Sequence, residues 1–205
     1  MPENSEPLEP TPQAKSHPKR LEGKSLFKIL LEVVLISLGV FLGLMGDQYL
    51  ERAEHREAAE ASLRRFRTEI VANRQALDAV REYHATTAKG LQEFFQSDKP
   101  KTPDNFRVMF HGIGPVHFEH TAWDLAITTQ SLTYLDQDLA YALSRTYTLQ
   151  QGYLNQQTAI VQSTIYGRSW TQDFEGYWRS LMGYFADLTI LDPGLMKAYD
   201  DVLPR

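Results

Sequence analysis

From Ile29 to Gly46 the chain reads ILLEVVLISLGVFLGLMG, eighteen residues interrupted by one charge. As a helix rising 1.5 Å per residue, that stretch covers about 27 Å, close to the roughly 30 Å hydrocarbon thickness of a bilayer. Phe27 and Tyr49 stand at its two ends, where amphipathic rings favour the headgroup region. The pattern predicts one membrane-spanning helix over residues 25–50. A buried helix of a soluble core is the competing reading, because Glu32 interrupts the run. A cleaved signal peptide fits less well, since a long tail precedes the apolar stretch and a charged helix follows it.

Beyond the span the pattern changes twice. Residues 51–62 carry many charges and no apolar stripe, but their Ala, Glu and Arg favour helix, so they read as a charged helical stalk. From Leu63 an apolar stripe begins: Leu63, Phe66, Ile70, Leu77, Val80 and Leu91, stepping mostly by three and four, with Asn73, His84 and Thr87 in its missing places. Such a helix packs either in a bundle within the chain, the commoner arrangement, or as a coiled coil between subunits with Asn73 setting register. Ser97-Asp-Lys-Pro100 ends it.

Residues 98–120 are irregular. The alternation of Phe106/Val108/Phe110 and Val116/Phe118 makes room for a short hairpin. Thr121 with Asp124 has the form of a capping box and opens a short helix bearing Trp123, Ala126 and Ile127. Asp136 caps a helix over 137–165, with Leu139, Leu143, Tyr147, Tyr153, Leu154, Ile160 and Val161 facing inward. Ser169 or Thr171 caps the next, which carries Phe174, Tyr177, Trp178, Leu181, Tyr184, Phe185 and Leu188. Asp192-Pro193 reads as the cap and first position of a short last helix.

The expected fold is all-α. One N-terminal transmembrane helix continues into a long amphipathic helix, packed with three to four further helices as a small bundle. The expected organisation is a disordered Pro-rich tail (1–24), the membrane helix (25–50), the stalk (51–62) and an α-helical soluble domain (63–205).

Composition narrows the partners. Net charge is −5, and residues 1–46 hold five Lys/Arg and five Asp/Glu, so the acidic excess lies wholly behind the span. No basic face stands out to neutralise phosphates, which argues against nucleic acid. The chain has no cysteine, removing disulfides, thiol nucleophiles and Cys-based zinc sites. Lys15, Lys19, Arg20, Lys24 and Lys28 precede the span, a modest basic bias that puts the tail in the cytoplasm.

Candidate chemistry is sparse. Glu32, Gly39 and Gly46 are spaced by seven and share a helix face with Gly43. Gly39-Val-Phe-Leu-Gly43 is a G-x-x-x-G pattern permitting close approach of spanning helices, to which Glu32 adds a hydrogen-bonding group. Glu32 can equally snorkel to the headgroups or pair with Lys28. His111, His117 and His120, with Glu119, are the best metal-ligand types, but they lack zinc-site spacing and read more simply as loop histidines. No catalytic residue and no cofactor is expected. Eight of ten tyrosines follow residue 130, with Trp170, Trp178 and Gln150, Gln151, Gln156, Gln157 and Gln162, which suits either a binding surface or the rim of a small bundle.

Glu32-Val-Val-Leu-Ile-Ser-Leu-Gly-Val40, Leu63-Arg-Arg-Phe-Arg-Thr-Glu-Ile-Val-Ala-Asn73 and Thr121-Ala-Trp-Asp-Leu-Ala126 together resemble a family of short bacterial single-pass membrane proteins with a C-terminal helical domain. The resemblance covers roughly residues 25–150. It implies a bacterial inner-membrane location and supplies no activity. The expected role is an interaction or assembly module on the extracytoplasmic side, with the bilayer and another membrane or periplasmic protein, or a second copy, as partners. A ligand-sensing bundle and an anchored hydrolase or metalloenzyme are the alternatives.

Overall fold

The computed structural model describes residues 23–167 and 172–203. The predicted disordered tail therefore lies almost wholly outside the described residues, as do Ser169, Trp170 and Thr171. Helix α1 runs Gly23–Gln96, α2 Pro103–Arg107, α3 Thr121–Thr128, α4 Gln137–Val161 and α5 Phe174–Val202. A 3₁₀ turn, Ser131–Tyr134, precedes α4, and a π-helical turn, Gln162–Gly167, follows it. The all-α expectation holds, with four helices beyond α1 and no strand among the described residues.

The chain divides into two units, Met1–Glu51 and Arg52–Arg205. In the first, every side chain from 26 to 50 is exposed, the large apolar ones included. This is the one helix, among the described residues, long and apolar enough to cross a membrane.

In the second unit the core is built on α1. Its inward positions are Ala59, Ser62, Phe66, Ile70, Asn73, Leu77, Val80, His84, Thr87, Leu91 and Phe94, all buried or partly buried. They step by three and four, in strict alternation from Phe66 onward, a 3.5-residue period that keeps one seam turned to its neighbours. The seam packs within the chain, against Leu143, Tyr147 and Tyr153 of α4, Leu181, Phe185, Leu188 and Tyr199 of α5, and Phe106, Val116 and Phe118 between them. The charged segment is helical and mostly exposed, and it touches the bundle where His55 stacks on Tyr134 at 4.1 Å and the Ser62 hydroxyl donates to Ser131 at 2.8 Å.

Pro100 disfavours helix at the residue before it, and α1 stops at Gln96. The Lys101 ammonium donates to the Ser97 carbonyl, meeting the negative end of the helix.

Three local expectations are corrected. Residues 108–120 form no hairpin; their alternation survives, with Val116 and Phe118 buried and His117 and Glu119 exposed, but side chains of α1 and α4 take the place of a second strand. Thr121 does not cap α3. His120 precedes it without a side-chain cap bond, and its Nδ1 instead faces Asp124 Oδ2 at 2.6 Å.

Asp192-Pro193 does not start a helix; α5 runs through it. Proline inside a helix costs about 3 kcal/mol. Leu188, Leu195, Met196 and Tyr199 are buried on both sides of it, each worth about 1.5–3 kcal/mol, so packing outweighs the break.

Candidate functional site

Polar side chains in the α1 seam hold the irregular stretch before α3. Asn73 grips one residue twice: Nδ2 donates to the Glu119 carbonyl at 2.7 Å, and Oδ1 accepts from the Glu119 amide at 2.7 Å. Gln157 does the same to Val116, at 2.8 and 3.1 Å. Gln150 Nε2 donates to the Glu119 carbonyl, while its Oε1 accepts from Asn73 and from the Tyr199 hydroxyl. Glu69 sits buried beside the seam. Its carboxylate accepts from the Ala122 amide at 2.7 Å, satisfying the start of α3, and from the Tyr147 hydroxyl at 2.6 Å. The bonds to Val116, Glu119 and Ala122 answer backbone groups that this stretch would otherwise leave open.

A second buried cluster joins α1 to α5. His84 and Asp192 are 1% and 4% exposed, with Nδ1 and Oδ2 2.9 Å apart. Nε2 lies 2.9 Å from the Gly114 carbonyl, which can only accept, so Nε2 carries a proton. The pair has the look of the histidine–aspartate half of a catalytic triad. In a triad, however, Nε2 faces the nucleophile; here the Gly114 carbonyl occupies it, so the imidazole ties three segments together and has no nitrogen to offer a substrate.

Gly114 has φ +58°, and a Cβ there would stand 2.8 Å from Tyr83 Cδ1. Only glycine brings this carbonyl so close to His84.

Tyr153 and Tyr184 lie near Asp192, their hydroxyls buried and making no hydrogen bond of good geometry among the described residues. Burial and the Asp192 carboxylate push Tyr184 up to about 12. Burial, with Asp192 next, pushes Tyr153 higher; burial and the Glu69 bond do the same to Tyr147, and burial and the Glu69 charge to Tyr199. A phenol whose folded value is raised contributes stability below the unfolded value near 10 and loses it as pH climbs towards the folded one. Stability is therefore expected to fall steeply between pH ~10 and 12, followed by denaturant melts. Phenolate absorbance should rise together with loss of helical circular dichroism; full ionisation of these four with the helices intact would contradict the burial.

Two of the recesses on the bundle lie between α1 and the C-terminal helices. One, about 440 Å³, is walled by Leu63, Phe66 and Ile70 of α1, Leu139 and Leu143 of α4, and Val202 and Leu203, with the exposed Arg64, Arg67 and Asp201 around it. The other, about 520 Å³, has a mixed lining of Asp78, Arg81, Glu82 and Ala85 of α1 and Leu188, Thr189, Asp192 and Pro193 of α5.

Glu32, Gly39, Gly43 and Gly46 lie on the exposed apolar helix, and nothing stands within 4 Å of where a Cβ would sit on the three glycines. His111, His117 and His120 are all exposed and not gathered; among the described residues no three His, Asp or Glu side chains are placed to hold a metal. The aromatic and glutamine-rich C-terminal helices point largely inward: Tyr147, Tyr153, Trp178, Tyr184, Tyr199 and Gln150 are core. Glu69 escaped sequence reading, its only signal being a carboxylate placed next to the seam residue Ile70. The apolar recess escaped too, because Leu63 and Leu139 read as buried positions and instead line its wall.

The chain matches no protein-family model, no curated protein and no solved structure.

Proposed function

We propose that the chain is a membrane-tethered helical binding module, held in a bacterial inner membrane by its apolar helix, with the tail in the cytoplasm and the bundle on the outer side. The observation that carries this reading is an apolar helix whose side chains from 26 to 50 are all exposed, followed by a unit that has a buried core of its own. Residues 29–46 contain twelve Leu, Ile, Val and Phe residues, worth about −4 to −7 kcal/mol on insertion. A carboxylate at mid-helix costs about 2.5–3.5 kcal/mol, and Glu32 lies close to one end, so insertion wins. Binding is favoured over catalysis because His84, the one buried histidine among the described residues, has both ring nitrogens engaged within the fold.

The face carrying Glu32, Gly39, Gly43 and Gly46 supplies a route to self-association, since small residues let spanning backbones approach. Replacing Gly39 and Gly43 by Ile is expected to lower a membrane two-hybrid signal of the span several-fold. An unchanged signal would remove assembly through this face. A ligand-sensing role is the second reading, favoured by the apolar recess between α1, α4 and the end of α5.

A further inference from the structure

We propose that the apolar recess of the bundle binds the hydrocarbon chain of a long-chain fatty acid, with Arg64 and Arg67 receiving its carboxylate. The proposal deepens the reading of the chain as a membrane-tethered binding module and rests on it.

The chemistry of the walls selects the buried part of the ligand. Leu63, Ile70, Leu139, Leu143 and Val202 are aliphatic, and the buried Phe66 adds an aromatic face to the lining. A polar group pushed among them would lose its bonds to water and gain none, so only hydrocarbon enters without loss. At about 440 Å³ the recess falls in the lower part of the range for small-molecule sites, which suits one acyl chain rather than two.

The charges at the mouth select the head. Three charged side chains border the recess: Arg64, Arg67 and Asp201. Asp201 is already matched by Lys197, Nζ to Oδ2 at 2.5 Å. Arg64 reaches Glu60 only at 3.9 Å with both ends well exposed, a loose pairing. Arg67 makes no ion pair among the described residues. One turn of α1 thus presents two guanidinium groups with donors to spare beside an apolar slot, and a planar carboxylate matches their fork geometry. A neutral head would leave that charge unanswered. A fatty acid has the single chain, the anion and, for a tethered protein, a bilayer to supply it.

The test uses the full-length chain in phosphatidylcholine nanodiscs with a palmitic acid that carries a diazirine in its chain, followed by irradiation and mapping of the labelled peptides. Label is expected at two places: the span over 26–46, and the recess peptides containing Leu139, Leu143, Val202 or Leu203. Reversing both mouth charges, Arg64→Glu with Arg67→Glu, alters only exposed side chains and is expected to cut recess labelling about tenfold while span labelling stays unchanged. Leu143→Trp, checked by its melting curve, should abolish recess labelling by filling the slot. The matching diazirine hexadecanol should label the span and spare the recess.

Span labelling with an unlabelled recess would overturn the fatty-acid site and leave the tether standing. Recess labelling indifferent to charge reversal would overturn the carboxylate assignment. A span without label would remove the membrane reading itself.

Discussion

Replacing His84 by leucine is expected to cost about 3–5 kcal/mol, because it leaves the buried Asp192 carboxylate without its partner and the Gly114 carbonyl without a donor. For a domain of this size that corresponds to a fall in melting temperature of about 6–20 °C. Asp192→Leu should cost a similar amount, since it strands the imidazole. The informative variant is the double one. Two buried polar groups replaced together by apolar ones leave no orphaned charge, so the double variant should be more stable than the sum of the singles by about 2–3 kcal/mol. Strict additivity in the cycle would mean that the two side chains act independently, which their 2.9 Å contact contradicts.

Asn73→Ala is expected to destabilise by about 2–4 kcal/mol. The change orphans the Glu119 amide, whereas the Glu119 carbonyl keeps Gln150 and Gln150 Oε1 keeps Tyr199. Asn73→Asp separates donor from acceptor. It still accepts from the Glu119 amide, but it puts an oxygen against the Glu119 carbonyl and Gln150 Oε1, so it should be at least as damaging at neutral pH. Acidification should then restore part of the loss, because a protonated carboxyl regains a donor. Equal stability of Asn73→Asp and wild type at pH 7 would show that the Nδ2 bonds contribute nothing.

These two positions also mark how far sequence reasoning reaches. The long helix was legible because its apolar residues recur every three or four places, and the polar residues falling on that repeat were visible as interruptions. What satisfies them was not. The His84 partner lies 108 residues away and the Asn73 partner 46, and spacing along the chain carries no record of such pairings.

The same long-range contact explains the misreading at Asp192-Pro193. Locally it is indistinguishable from a helix start; His84 and the buried residues on either side keep it inside a helix. The segment over 108–120 failed differently. Its alternation was real, but alternation says only which side chains point inward and not whether a strand or a row of Asn, Gln and Glu side chains answers the backbone.

The candidate site was less legible than the fold. Of the tyrosines that suited either a surface or a bundle rim, Tyr147, Tyr153, Tyr184 and Tyr199 are core, because a bundle this small needs large side chains to fill it, while Tyr134 and Tyr141 stay exposed. The recess could not be found, since it depends on where the last turn of α5 stops against α1 and α4.

The central claim is that one apolar helix crosses the membrane and leaves tail and bundle on opposite sides. The chain has no cysteine, so a single introduced one is a unique reporter. Ser5→Cys in the tail and Tyr141→Cys, exposed on α4, should respond oppositely to a membrane-impermeant maleimide applied to spheroplasts. The account predicts that Cys at 141 is labelled directly and Cys at 5 only after lysis. Labelling of both before lysis, or of neither until lysis, would contradict it.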